Sequence, residues 1–232
     1  MAERELVGVQ SRTFRVRARG DIACFTRPEM KVERVSYEVM TPSAARGLLE
    51  SVLWKPAIEW RIHAIEVLSP IRWISVRRNE VNSRASLEKK MIVADEDRAQ
   101  RNTVGLRDVD YVVQASFAMT PRAGEADNVR KFEEMFERRL EKGQHHSAPF
   151  FGCREFAAAL EPATDVPPPI DPGVDRPLGW MFYDFDWSGF EGGGSHKESE
   201  AGTPLFFEAR LKDGVLAVPP RVVVREAVRT PR

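Results

Sequence analysis

Few residues in this 232-residue chain can move a proton or attack a bond: four histidines, three tyrosines and two cysteines, set among 35 lysines and arginines. Their spacing excludes several chemistries. There is no HExxH and no HxH with a downstream carboxylate cluster. The neighbours His145 and His146 diverge in most backbone conformations, so zinc hydrolysis is not expected. No GxSxG offers a serine nucleophile. Gly192-Gly193-Gly194-Ser195 is not a phosphate loop, because Lys197 is not followed by Ser or Thr and no glycine stands at the P-loop distance before it. His63 falls on an alternating strand as a half-exposed residue, and His196 reads as surface. What remains is acid–base chemistry on a bound phosphodiester. An RNA strand carries its own nucleophile, the 2′-hydroxyl, so a protein need supply only a base, an acid and a cation. His, Tyr and Lys suffice for that, with neither metal nor cofactor.

Charge first argues against such a ligand. Thirty-five basic residues balance 35 acidic ones, whereas phosphate binding needs a local excess of Lys and Arg. The balance is a cancellation: through Arg101 there are 19 basic and 14 acidic residues, and beyond it 16 basic and 21 acidic. The +5 half can meet a polyanion. With 42% apolar residues the chain reads as an ordinary globular protein large enough to bury a core without disulfides. Cys24 and Cys153, both in apolar or aromatic settings, read as reduced buried thiols. The Met1–Leu6 start lacks a signal-peptide pattern and no apolar run reaches membrane-spanning length, so a cytoplasmic location with no membrane partner is expected.

The elements that must position these groups follow from periodicity. From Thr13 to Cys24 apolar Phe14, Val16 and Ala18 alternate with Arg15, Arg17 and Arg19, the pattern of a half-buried strand with one cationic face. That face is either a solvated surface or a phosphate-binding strand. A basic connection, Arg27 to Arg34, leads to a short strand, Val35–Val39. Thr41 as N-cap and Pro42 at the first helical position open a helix carrying Ala45, Leu48, Leu49 and Val52 on one face, which Lys55-Pro56 stops. A strand over 58–67 and another from Ile71 to Glu80 follow. Residues 81–100 look like an excursion, a hairpin or arm whose Arg84, Lys89, Lys90, Arg98 and Arg101 could grip a polyanion. The sheet resumes over 106–119. A second helix spans Asn128 to Lys142, with Phe132, Met135, Phe136 and Leu140 as its apolar stripe and Gly143 as terminator. Prolines at 162, 167, 168, 169, 172 and 177 mark a stiff connection. An apolar strand over 178–187 follows, and then a hairpin of 206–211 and 215–218 about a Lys212-Asp213-Gly214 turn.

The fold class is therefore α+β. The order β-α-β, excursion, β-α-β fits a ferredoxin-like or RNA-recognition-like domain over 1–160 with an inserted arm at about 76–105. A Pro-rich connection over 161–177 and a small antiparallel β extension over 178–232 complete the chain.

Five ordered blocks carry a resemblance. Phe25-Thr26-Arg27-Pro28-Glu29-Met30-Lys31, Ser36 to Gly47, Trp54-Lys55-Pro56, Arg77-Arg78-Asn79-Glu80 and Phe151-Gly152-Cys153-Arg154-Glu155-Phe156 resemble the Cas5d family of type I-C CRISPR systems over nearly the whole chain. The resemblance implies an endoribonuclease that cuts precursor CRISPR RNA without metal at the base of the repeat hairpin. It also implies that the protein then holds the 5′ handle within the interference complex. Implied partners are the CRISPR RNA, the backbone subunit and the large subunit, with target DNA a further candidate.

The family's usual proton machinery is not all present. A Tyr or His commonly precedes the Trp-Lys-Pro motif, where this chain has Leu53, and a Lys-His pair opens the second helix, where this chain has Lys131-Phe132. Only the lysine is kept. Cleavage then requires Lys131 to stabilise the phosphorane while His145, His146 or Tyr37 serves as acid or base. RNA contacts are expected from Arg15, Arg17, Arg27, Lys31, Arg34, Arg46, Lys55 and Arg154. The alternatives are a degenerate subunit that binds the handle without cutting, and a protein-interaction scaffold that binds no RNA.

Overall fold

The structure is a computed structural model that describes residues 8–30, 32–83, 91–187 and 202–229. Strand β1 (Phe14–Ala23) forms where the Phe14/Val16/Ala18 alternation demands it, with those three side chains buried and Arg15 and Arg19 outside. Helix α1 (Pro42–Val52) begins as its sequence requires: the Thr41 hydroxyl accepts the Ala44 N–H at 3.3 Å, and proline occupies the first turn. Strand β3 (Ile58–Val67) follows, then β4 (Trp73–Val81) and β5 (Arg98–Met119). Helix α2 (Val129–Glu141) is capped by the Asn128 side chain, which accepts the Lys131 N–H at 2.9 Å, and Gly143 takes φ +61° beyond its end. Strands β6 (Ala159–Pro162), β7 (Asp175–Asp186), β8 (Thr203–Lys212) and β9 (Val215–Ala217) precede α3 (Arg221–Arg229).

Among the described residues these strands join one sheet in the order β6-β1-β5-β3-β9-β8-β7. The two-residue β2 (Arg34–Val35) and β4 attach to β5. β1 pairs antiparallel with β5 and β6, and β3 with β5 and β9. The 22-residue β5 is long enough to serve two purposes. Its second half runs between β1 and β3, while its first half pairs with β4 from Trp73↔Leu106 to Val81↔Arg98. Residues 84–90, which carry Arg84, Lys89 and Lys90 of the expected arm, lie outside the described residues.

Helices α1 and α2 cover one sheet face. Phe14, Trp60, Phe117 and Phe136 pack together there, with ring centroids 5.0 Å apart for Phe14–Phe136 and 4.7 Å for Trp60–Phe136. The α2 stripe of Phe132, Phe136 and Leu140 closes this core. Burial of such aromatics dominates core energetics, and that fixes where the amino end of α2 lies.

Three sequence expectations need correction. The strand expected over Val35–Val39 is only Arg34–Val35, because local bonds replace the ladder beyond it. The Ser36 hydroxyl accepts the Phe25 N–H at 2.9 Å and donates to the Tyr37 carbonyl at 2.7 Å, and Tyr37, Val39 and Met40 turn into the core. β5 begins at Arg98 rather than Leu106, since cross-strand pairing with β4 stabilises residues whose own pattern is polar. The β-rich tail ends in α3, after Pro219-Pro220, where one face buries Val224.

The last strands continue the sheet through β9, with Asp213-Gly214 in the left-handed region (φ +52° and +72°) making the β8–β9 turn. α1 clamps β7 through Arg46. Its guanidinium donates to Asp184 at 2.8 and 3.1 Å and to Glu50 at 2.7 Å. No helix among the described residues is long and apolar enough to cross a membrane.

Candidate functional site

The amino end of α2 faces the Lys55-Pro56-Ala57 segment, and between them opens a groove of about 370 Å³ lined by Lys55, Pro56, Ala57, Arg122, Asp127, Lys131, Phe132 and Met135. The sequence dictates this arrangement. Lys55-Pro56 ends α1 and turns its segment outward, and the Asn128 cap starts α2 so that Lys131 lies in the first turn. Three cations and one carboxylate share an apolar floor. Unsatisfied N–H groups and the helix dipole add positive potential at that end.

The Lys131 ammonium donates to Asp127 Oδ1 at 2.9 Å, and the Gly124 N–H donates to Asp127 Oδ2 at 3.1 Å. The Lys131 bond, with help from that N–H and from the Lys55 charge, holds the Asp127 carboxyl below its ordinary pKa. Asp127 is thus an ionised acceptor within the cationic groove. Arg122 and Asp127 were not among the residues expected from sequence. Both lie in the Thr120–Asp127 connection, whose polar character gave no periodic signal, although the Asp127/Lys131 spacing of four is the helix-pair interval.

The two positions that lack an ionisable group are packed solid. Leu53 is fully buried, its carbonyl accepting the Trp60 indole N–H at 3.1 Å, and Phe132 is buried edge-on against Phe117 at 6.4 Å. Neither is a titrating group.

The remaining catalytic candidates do not line the groove. His145 and His146 follow the carboxyl end of α2, and ten residues separate Lys131 from Glu141, roughly 15 Å along a helix. His145 Nδ1 lies 3.1 Å from the Gly143 carbonyl, and the His146 N–H donates to the Ser51 carbonyl at 2.6 Å, so this loop docks on the end of α1. Tyr37 is buried. Its hydroxyl accepts the Phe182 N–H at 3.1 Å, the Arg27 guanidinium lies 4.5 Å over its ring, and burial pushes the phenol pKa up. Tyr37 ties β7 to the core and does not line the groove. The third histidine with a described position, His63, sits 2.7 Å from the Ser116 hydroxyl on the opposite sheet face, its pKa lowered by burial and by Arg61.

The expected RNA contacts divide in the same way. Arg15 donates to both oxygens of the buried Glu66 at 2.9 Å, and Gln114 adds a bond at 2.7 Å. Arg17 makes two bonds to Asp110, at 3.0 and 2.7 Å, and Arg19 reaches Glu161. The cationic strand face is therefore answered by carboxylates from the adjacent β5 and β6 and from β3 one strand further on. Arg46 is caged between Glu50 and Asp184, and Arg27 is spent on Tyr37 with Glu29 at 4.0 Å. Arg34 bridges Glu155 at 3.0 Å and Glu80 at 3.6 Å, within a network that also holds Arg78 and Arg101. Lys55 is exposed in the groove, and Arg154 is exposed on the loop that Gly152 presses against Cys24. A Cβ at Gly152 would overlap the Cys24 carbonyl, and its φ is +78°. Lys31 and His196, like Gly192 to Ser195, lie outside the described residues. Among the described residues no group of three or more His, Cys, Asp or Glu could hold a metal ion.

Comparison with known proteins gives a consistent result. The model of the Cas5d family of CRISPR-associated proteins matches residues 13–219. The CRISPR pre-crRNA endoribonuclease Cas5d of Mannheimia succiniciproducens is 47% identical over 218 residues, covering 87% of this chain and 92% of that protein. The protein of the same description from Thermus thermophilus is 41% identical over 214 residues, covering 89% and 91%. Two crystal structures share the fold. One is of a CRISPR-associated protein (TM-score 0.68, 21% identity, 93% and 95% of the two chains), and the other is of a functionally uncharacterized protein of Streptococcus mutans (TM-score 0.66, 23% identity, 92% and 95%).

Proposed function

The chain belongs to the Cas5d family of CRISPR-associated proteins, and from that premise we propose that it binds the repeat-derived 5′ handle of CRISPR RNA and cleaves precursor CRISPR RNA in the α2 groove. The observation that carries the reading is the meeting of Lys55, Arg122 and Lys131 around one ionised carboxylate at a helix amino end. Its scaffold is the ferredoxin-like order β6-β1-β5-β3 with α1 and α2 as crossovers, and β4 with the first half of β5 is the hairpin arm. The domain division at 161–177 and a cytoplasmic location belong to the same reading. So does lasting membership of an interference complex with backbone and large subunits.

In this reading the 2′-oxygen attacks the adjacent phosphorus while its proton passes to Asp127. The bond from phosphorus to the 5′-oxygen breaks, and the leaving oxygen takes a proton from Lys131 or from water. The products are a 2′,3′-cyclic phosphate and a 5′-hydroxyl. Lys55, Arg122 and Lys131 stabilise the charge that gathers on the phosphorane, and that kind of stabilisation is commonly the largest catalytic contribution. No step needs a metal. Lys131→Ala tests the assignment: cleavage of the repeat RNA is expected to fall about 10²-fold or more while affinity falls only a few-fold. Equal loss of both would reduce Lys131 to a phosphate contact.

A further inference from the structure

Trp54 has no role in the groove as described, yet its position is unusual. Its side chain is 54% exposed, and it makes no hydrogen bond or ring contact among the described residues. The backbone beneath it is held from three directions. The Arg139 guanidinium donates to the Val52 carbonyl at 2.9 Å, the Trp60 indole donates to the Leu53 carbonyl at 3.1 Å, and the Leu53 N–H donates to Leu49 at 3.0 Å. Leu53 is extended (φ −142°, ψ 104°) with its side chain in the core, so the next side chain along the extended segment projects to the opposite side, into solvent. The following residue, Lys55, lines the cationic groove. Three positions earlier, the Ser51 carbonyl accepts the His146 and Ser147 N–H groups. The indole thus rises from a firmly held backbone, one residue before Lys55 of the cationic groove.

Resting on the reading above, we propose that Trp54 is a base-stacking platform, a positioning residue that seats an unpaired nucleotide beside the phosphate held by Lys55, Arg122 and Lys131. Exposed aromatic faces beside a positive groove are how proteins hold single-stranded RNA without reading its sequence, because every base has a π-face. Isolated surface aromatics need no explanation, but one on a backbone held in place directly before a groove cation needs little main-chain ordering to meet a ligand. Stacking at Trp54 sets which phosphodiester enters the groove.

The test compares two probes of equal length and charge, a short oligouridylate and the matching abasic ribose-phosphate oligomer, in EDTA and at fixed salt. Wild-type protein is expected to bind the base-bearing probe roughly 5- to 150-fold more tightly, the range that one stacked base commands. Trp54→Ala and Trp54→Leu erase that difference, the latter keeping apolar bulk without a flat ring, and Trp54→Phe keeps most of it. A wild-type protein that binds both probes alike overturns the inference. A base preference that survives in both Trp54→Ala and Trp54→Leu overturns it as well, while leaving RNA binding intact. Failure of wild type to bind either probe or its own repeat RNA would instead bring down the underlying reading.

Discussion

Asp127 is the residue on which the proposed chemistry can be separated from mere binding. Asparagine at this position keeps the shape and the bond accepted from Gly124 but removes the charge that neutralises Lys131 at 2.9 Å. Two effects of opposite sign follow. The groove becomes more positive, and since an exposed ion pair of this kind is weak, affinity for repeat RNA rises by no more than about five-fold. Cleavage falls, because the proton acceptor is gone. A positioned general base contributes roughly 10²- to 10⁴-fold, and a carboxylate held below its ordinary pKa is a poor Brønsted base, which puts the loss near 10². The pH profile carries the same signature. The acting form of Asp127 is the deprotonated one, lost only as pH falls through a pKa already below the usual carboxylate value of about 4, so the rate is flat from about pH 5 to 8. A histidine base would impose a unit slope rising to about pH 6.5. Single-turnover cleavage and filter binding of Asp127→Asn, beside the double variant His145→Ala/His146→Ala, decide the matter. Undiminished cleavage in Asp127→Asn, or a histidine-like slope abolished by the double variant, refutes the assignment.

Further outcomes follow from the charge arrangement. Arg46→Ala strands the buried Asp184 carboxylate. Breaking a fully buried pair costs about 3–5 kcal/mol, and the partial exposure of Arg46 reduces this to roughly 2–3, a Tm loss of about 4–12 °C by thermal denaturation with the salt dependence of RNA binding unchanged. Lys55→Ala and Arg122→Ala each lower the slope of log affinity against log salt by about 0.7 in a single-strand titration. Arg15→Ala and Arg17→Ala leave that slope alone, because those guanidiniums are already paired with Glu66 and Asp110.

Much of this was legible in the residues. Thr41-Pro42 and Asn128 marked helix starts because capping is local chemistry, and the stripe Phe132/Phe136/Leu140 named the face of α2 that is buried. The five motif blocks gave the family. The fate of the arginines was not legible: that Arg15, Arg17 and Arg46 meet Glu66, Asp110 and Asp184 depends on pairings 51, 93 and 138 residues apart in the chain. Long-range register decides whether a cation is free, and a single sequence does not display it. The same is true of the groove. Lys55 and Lys131 could be singled out, but only the packing of α2 against the end of α1 sets them beside Arg122 and Asp127 and leaves His145 and His146 out of the groove lining. Tyr37, attractive by residue type, sits in a motif whose local bonds turn it inward.

The most direct measurement is incubation of the purified full chain with its own repeat RNA in excess EDTA. Cleavage at one position, leaving a 2′,3′-cyclic phosphate and a 5′-hydroxyl and lost in Lys131→Ala, is the predicted result. A repeat hairpin that is bound tightly and stays uncut would contradict it.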